Sequence, residues 1–185
     1  MDKTKQIYII GGGQTAAYAA KEIRSIDSHS DLTIISEEKY LPYEKPPLSK
    51  DFLLDKINFA NLLFFPENFY KENRINFISN TKIMEVDFDN NKIKSIKKNY
   101  QYDKLLIATG SSNRHLNING DTILPDENII YLRNSEESKI LKKKISLAKN
   151  IVIIGGGFIG LEIASSASQK EKNITVLEKG DQLMG

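Results

Sequence analysis

The chain has 185 residues, enough for one ordinary domain, or for one domain and part of another, around a sizeable core. Its 40% hydrophobic, 9% aromatic and 27% charged residues are those of a folded globular protein and exclude general disorder. Lys and Arg number 26 against 24 acidic residues, a formal charge of +2 that makes no electrostatic case for nucleic acid or a membrane, and the absence of cysteine excludes disulfides, thiolate metal sites, iron–sulfur ligation by this chain and a dithiol redox centre.

The opening "MDKTKQIYIIGGG" holds an apolar run of four residues, too short for a secretory core or a membrane span. No later segment comes near a spanning length, so the expected location is cytoplasmic. That run, residues 7–10, reads as a buried parallel strand ended by a glycine turn at Gly11 and Gly13. A helix with the small residues Ala16, Ala17, Ala19 and Ala20, together with Ile23, follows and can lie close on a sheet. A second strand at 32–35 ends in acid, at Glu37 or Glu38.

The next stretch, "YLPYEKPPLSKDF" at 40–52, places two prolines in a charged loop. Each fixes its own φ and pushes its predecessor toward extended backbone, so the loop is stiff. Beyond it, "NFANLLFFPENFYKEN" predicts a half-buried helix and loop, and "INFISNTKIMEVDFDNNKIKSI" predicts a small antiparallel meander turning at Asp89, Asn90 and Asn91. In "YDKLLIATGSS", residues 105–108 predict a buried strand ending at Thr109 and Gly110, where backbone can again approach a ligand.

Residues 112–128 carry Asn, Gly and Pro without periodicity and predict a linker. "NSEESKILKKKISLAKN" then predicts an amphipathic helix with Ile140, Leu141, Ile145 and Leu147 inward and Lys142 to Lys144 on the solvated side. His29 and His115 are the only histidines and stand in no catalytic or metal-binding pattern.

The chain then repeats itself. "IYIIGGGQTAAYAA" at 7–20 returns as "IVIIGGGFIGLEIA" at 151–164, 144 residues later, with seven of fourteen positions identical. The second helix presents Ile159, Leu161, Ile163, Ala164 and Ala167, and a strand at 174–177 ends in Glu178. In a G-x-G-x-x-G turn the first two glycines, here Gly11 and Gly13, then Gly155 and Gly157, allow a tight turn and close approach to a pyrophosphate. The third position, Ala16 or Gly160, needs a small residue for helix–strand packing. An acid at the end of the second strand accepts from ribose hydroxyls and repels a 2′-phosphate, so Glu178 favours NAD, with Lys179 beside it softening the preference. Two complete copies predict an α/β protein with two Rossmann-like dinucleotide-binding units and an electron path between two dinucleotides.

With these motifs the chain resembles the FAD-dependent, NADH-oxidising ferredoxin and rubredoxin reductases, the branch of the pyridine nucleotide–disulfide oxidoreductase superfamily that lacks the disulfide. "GGGQTA" with "EEKYLPYEKPPLSK", then "LLIATG", then "GGGFIGLE" with "LEKGDQLMG" carry the resemblance along essentially the whole chain. It implies the glutathione-reductase-like FAD/NAD(P)-binding fold with the second unit incomplete: an FAD domain at 1–111, a linker at 112–128 and the start of an NAD domain at 129–185. It further implies that Gly11, Gly13, Thr15, Ala16 and Glu37 bind FAD, that Ile83 touches the adenine end, that Ala108, Thr109 and Gly110 line the same groove, and that Arg133 serves the flavin phosphates. Lys50 is implied to lie beside the isoalloxazine ring. NADH falls to Gly155, Gly157, Ile159, Gly160 and Glu178, with Glu162 near the nicotinamide, so Lys50 and Glu162 are the implied catalytic pair.

Flavin is then the only redox group of the chain, and the implied acceptor is an iron–sulfur ferredoxin or a rubredoxin. Lys45 stands where arginine is commoner in the family, keeping the charge without the planar fork. The chain reaches Gly185 just after the second strand of the NAD unit, so the expectation is an N-terminal fragment of a longer reductase. Monodehydroascorbate reductase and apoptosis-inducing-factor-like NADH oxidoreductases share such loops and are the alternative enzymes. A nucleotide-binding remnant without turnover is the non-enzymatic alternative.

Overall fold

A computed structural model describes residues 4–118, 121–122 and 128–184. Its contacts divide into two compact units, Met1–Glu44 with Leu63–Ser111, and Lys45–Leu62 with Ser112–Gly185. Residues 45–52 of the proline loop, which the sequence reading puts in the first domain, therefore group with the second unit. Among the described residues no helix is long and apolar enough to cross a membrane.

The first unit begins with β1 (Gln6–Ile10), α1 (Gln14–Ile26) and β2 (Asp31–Ile35). The short α2 (Glu67–Glu72) leads to β3 (Ile75–Ile78), and β4 (Ile83–Asp87), β5 (Lys92–Ser95), β6 (Asn99–Gln101) and β7 (Lys104–Ile107) complete it. Four strands form a parallel sheet in the order β3-β2-β1-β7. Ile9, Leu32 and Ile34 of this sheet are fully buried with Ala16 and Ala20 of α1 and with Tyr70 and Ile75. The alanines have no side chain beyond Cβ, so the helix lies close on the strands, as its composition predicts.

Residues 75–78 correct the sequence reading. They do not open the antiparallel meander but pair in parallel with β2, Leu32 against Ile75 through Ile35 against Ile78. Alternation alone cannot distinguish a meander strand from the edge of a parallel sheet, because partner and direction are set by tertiary context. The meander is β4-β5-β6, whose Ile93 and Tyr100 pack with Ile10, Ile35 and Tyr102. In β7, Ile107 is exposed rather than buried.

In the second unit, two short 3-10 turns at Pro46–Ser49 and Phe59–Leu62 precede a small antiparallel pair, β8 (Asn117–Ile118) and β9 (Asp121–Thr122). That pair lies inside the expected linker at 112–128, of which residues 119–120 and 123–127 fall outside the described residues. Then come α3 (Ser135–Leu147), β10 (Asn150–Ile154), α4 (Phe158–Ser168) and β11 (Asn173–Leu177), with β10 and β11 parallel.

Asn134 caps α3 through a capping box. Its side chain accepts from the Glu137 amide at 2.9 Å while the Glu137 carboxylate accepts from the Asn134 amide at 3.2 Å. Ser138, Leu141 and Ile145 form its inward face, whereas Ile140 and Leu147, seven residues apart, point outward together, against the sequence expectation. Lys142 is not on a solvated side. Its Nζ lies 2.6 Å from Asp55 Oδ1 and 4.8 Å from the centroid of the Phe52 ring.

Ile151, Ile163 and Ile174 pack on Leu53, Ile145 and Ala167, while Ile159 is exposed. The pleat sends Val152, Ile154 and Leu177 to the other face of the strand pair, where they are exposed.

Candidate functional site

Both glycine turns are built alike. Gly11 has φ +118° and its amide donates to the Ile35 carbonyl at 2.8 Å; Gly155 has φ +107° and donates to Leu177 at the same distance. These dihedrals lie where side chains are disfavoured. A Cβ on Gly11 would also stand 2.1 Å from the Ala108 carbonyl oxygen, so the sequence-predicted Gly11 and Ala108 meet in one groove. Thr109 and Gly110 follow exposed, Gly110 at φ +72°.

At the third fingerprint position a Cβ on Gly160 would lie 2.1 Å from the Gly155 carbonyl, and its counterpart Ala16 is fully buried. Close helix–strand packing accounts for both.

Gly13 and Gly157 differ. Each caps its helix with ordinary extended backbone, φ −101° and −78°, and a Cβ at either place would meet no atom of the described residues within 4 Å beyond its chain neighbours. Neither conformation nor internal packing requires glycine there. A helix cap mildly prefers glycine to alanine, and the further reason is approach of a ligand to the backbone at a helix N-terminus, which is what a dinucleotide pyrophosphate needs. The residues present therefore fit a bound dinucleotide in each copy. Thr15 stands exposed in the first turn of α1 and Ile159 exposed in the first turn of α4.

Glu178 ends β11 with its carboxylate fixed by backbone. Oε1 accepts from the Gly180 amide at 2.9 Å and the Lys179 amide at 2.7 Å, and Oε2 from Gly156 at 2.5 Å. The amides of Gly180, Gly156 and Lys179 hold its pKa below the usual carboxylate value. It adjoins a shallow depression lined by Gly180, Asp181 and Gln182.

In the first unit the residue after Ile35 is Ser36, which takes the corresponding place. Its Oγ would be 2.3 Å from a Cβ on Gly12 and accepts from the Glu38 amide at 3.1 Å. Tyr43 donates to the Glu38 carboxylate. Glu37, one position later than Glu178, is exposed with Lys82 Nζ at 3.6 Å. Ile83 sits in β4 against the Ile10 and Ile35 cluster.

The second unit brings together the two residues expected to be catalytic. Lys50 Nζ lies 2.9 Å from Glu162 Oε1, and Ser49 Oγ donates to Glu162 Oε2 at 2.5 Å. Burial pushes the Glu162 carboxyl upward, but the Ser49 hydroxyl and the Lys50 ammonium outweigh it and leave the pKa lowered. Pro46 and Pro47 start the turn that delivers Ser49 and Lys50, where a missing N–H costs nothing. Lys45 precedes that turn, its carbonyl accepting from Leu48 at 3.0 Å. Arg133 immediately precedes the cap of α3, its amide 2.5 Å from Glu137 Oε2. Sequence reasoning missed Ser36, Ser49 and the α4 serine Ser166. The signal for the last was its spacing of four from Glu162 on one helix.

A family model described as pyridine nucleotide-disulphide oxidoreductase matches residues 5–185. A rubredoxin-NAD(+) reductase of Ectopseudomonas oleovorans is 37% identical over 180 residues, 96% of this chain and 46% of the relative. Rhodocoxin reductase of Rhodococcus erythropolis is 33% identical over 96% of this chain and 41% of its own length. The chain thus spans a little under half the length of the curated relatives it matches. Among solved structures, a ferredoxin reductase from Rhodopseudomonas palustris superposes with TM-score 0.88 at 31% identity, over 98% of this chain and 44% of that one. The covalent putidaredoxin reductase–putidaredoxin complex gives 0.92 at 24% identity over 99% of this chain and 44% of that one, a likeness of fold.

Proposed function

Since the chain belongs to the pyridine nucleotide-disulphide oxidoreductase family, we propose that it is the N-terminal part of an FAD-dependent NADH oxidoreductase that delivers electrons to a ferredoxin or a rubredoxin. The pair Gly13 and Gly157 carries this reading, glycines in ordinary conformation whose added Cβ would crowd no atom among the described residues. In the first unit Gly11, Gly13, Thr15, Ala16, Glu37, Ile83, Ala108, Thr109 and Gly110 hold FAD. In the second, Gly155, Gly157, Ile159, Gly160 and Glu178 hold NADH. Lys45, Lys50, Arg133 and Glu162 are the charged groups assigned to the flavin and the nicotinamide. Bound FAD supplies the redox chemistry, taking a hydride from NADH as two electrons and giving them up singly.

The chain's own residues bind and orient. Each helix N-terminus meets pyrophosphate charge, the amide-held Glu178 offers ribose a fixed acceptor, and Glu162 partly balances the Lys50 charge. The chain contains no cysteine, so a dithiol relay within it is excluded, which fits single-electron delivery to a separate protein. The names of the relatives, rubredoxin-NAD(+) reductase and a ferredoxin--NAD(+) reductase component, support that class of acceptor.

Titration of the purified chain with FAD, followed by flavin fluorescence, tests the first half of the reading; anaerobic addition of NADH tests the second. Saturable quenching of flavin fluorescence and bleaching of the visible flavin absorption by about one equivalent of NADH are expected. Absence of flavin binding by the chain and by its full-length parent overturns the reading.

A further inference from the structure

Helix α4 places Glu162 and Ser166 four residues apart, one above the other on a single face. Both reach the same residue of the proline loop. Glu162 Oε2 accepts from the Ser49 hydroxyl at 2.5 Å, and the Ser166 hydroxyl donates to the Ser49 carbonyl at 2.7 Å. A third hydroxyl, that of Ser138 on α3, donates to the Leu48 carbonyl at 2.7 Å. Ser49, Ser138 and Ser166 are 3%, 0% and 5% exposed, so these bonds are shielded from water.

The logic is that of a helix end. The carbonyls of Leu48 and Ser49 close the turn Pro46–Ser49, where the last carbonyls have no partner within the turn itself and take donors from elsewhere. The two serines supply them. Lys50, by contrast, has a side chain 48% exposed, and an ion pair on a half-exposed lysine holds geometry weakly. The carboxylate is therefore oriented by the buried serine and not by the lysine: with Oε2 occupied by Ser49, Oε1 is the oxygen left to face Lys50 Nζ at 2.9 Å.

We propose that Ser49 and Ser166 are positioning residues, a hydroxyl clasp on one face of α4 that sets the geometry of the Lys50–Glu162 pair. The functional importance of the clasp rests on the reading that this pair works at the cofactors; its geometry does not. The Ser166 hydroxyl donates to the Ser49 carbonyl and not to the Glu162 carboxylate, so its side chain acts on the charged pair through Ser49.

The test exploits that separation. In the nucleotide-free chain, carbon-13 NMR follows titration of the Glu162 carboxyl in wild type, Ser166→Ala and Ser166→Thr, each checked for folding by amide spectra. Ser166→Ala is expected to move the titration upward toward the ordinary glutamate value, and Ser166→Thr, which keeps the hydroxyl, to restore it. Lys50→Met is expected to raise it in the wild-type background and by less in Ser166→Ala, because the pair has already loosened. A purely structural serine would lower the urea midpoint and leave the titration in place, and that result overturns the proposal. If Ser166→Ala does not fold, the same comparison is made in Ser49→Ala, where an undiminished response to Lys50→Met overturns it. Because no nucleotide is present, failure of flavin or NADH binding leaves this measurement standing, and failure of this measurement leaves the oxidoreductase reading standing.

Discussion

Replacing Gly13 by Ala and Gly11 by Ala separates the ligand's requirement for glycine from the fold's. At Gly11 the alanine would hold φ near +118° and put its Cβ 2.1 Å from the Ala108 carbonyl. Strain in a disfavoured backbone region costs about 1–3 kcal/mol, and overpacking against atoms that cannot rotate away costs a further ~1–3 kcal/mol. A loss of about 2–6 kcal/mol is a large part of the roughly 5–15 kcal/mol that holds a domain folded.

At Gly13 the backbone, φ −101° and ψ −165°, suits alanine and nothing lies within 4 Å of the added Cβ. Losing a glycine cap costs a few tenths to about 1 kcal/mol, offset by about 0.4–1 kcal/mol from a stiffer unfolded chain. Stability should barely move. FAD affinity should fall by roughly 10- to 150-fold if the methyl costs one close backbone hydrogen bond of about 1.5–3 kcal/mol to a charged phosphate. Urea unfolding and fluorescence titration of FAD measure the two quantities on the same samples. A Gly13→Ala protein as unstable as Gly11→Ala, or one that is stable with unchanged FAD affinity, would refute the reasoning.

Three further outcomes are expected. Glu178→Ala should weaken NADH binding by roughly 10- to 150-fold, the equivalent of about 1.5–3 kcal/mol for a hydrogen bond to a charged group, as read by calorimetry. Asp27, whose carboxylate accepts from the Ser30 hydroxyl and from the amides of Ser30 and His29, has its pKa lowered from 3.8 to about 2. Its contribution is therefore present above the unfolded value and lost as pH falls through the folded one, so wild type should lose stability more steeply than Asp27→Asn between about pH 4 and 2, measured by urea midpoint. Lys142→Ala removes a pairing with exposed Asp55 and a cation over the Phe52 ring, and should cost only about 0.5–2 kcal/mol in chemical denaturation.

What was legible in the sequence were the features governed by local chemistry. A β-rich apolar run, a glycine turn and an alanine helix dictate β1, α1, β10 and α4 wherever they occur. Residues 75–78 were misread because their partners in β2 lie 43 residues earlier, Leu32 against Ile75, in a register no local pattern records. Ile140 and Leu147 were expected inward on hydrophobicity, but α3 is nucleated by Asn134 and its inward face is set by Ser138, Leu141 and Ile145. The role of the clasp serines was illegible for a similar reason. Spacing puts Ser166 on the Glu162 face of α4, but the carbonyl it serves, 117 residues away, is recorded in no local pattern.

The two copies also show why a repeat found by sequence identity does not hold its alignment to the end. The glycine turns are 144 residues apart, Gly11 against Gly155, but the carbonyls their amides meet, Ile35 and Leu177, are 142 apart. Helix α1 has 13 residues and α4 has 11, which accounts for the difference of two. The acid then shifts by one more position. Glu178 follows Leu177 directly and is clamped on the Gly156 amide, whereas Ser36 follows Ile35, with its amide donating to the Ile78 carbonyl at 2.8 Å and its own carbonyl accepting from Thr81 at 2.9 Å. In this unit β3 keeps Ser36 paired beyond the end of β2, and the acid is displaced to Glu37. The same turn thus presents two kinds of acceptor. In the second unit it is a carboxylate locked by three amides; in the first it is an exposed carboxylate with Lys82 as its cationic neighbour.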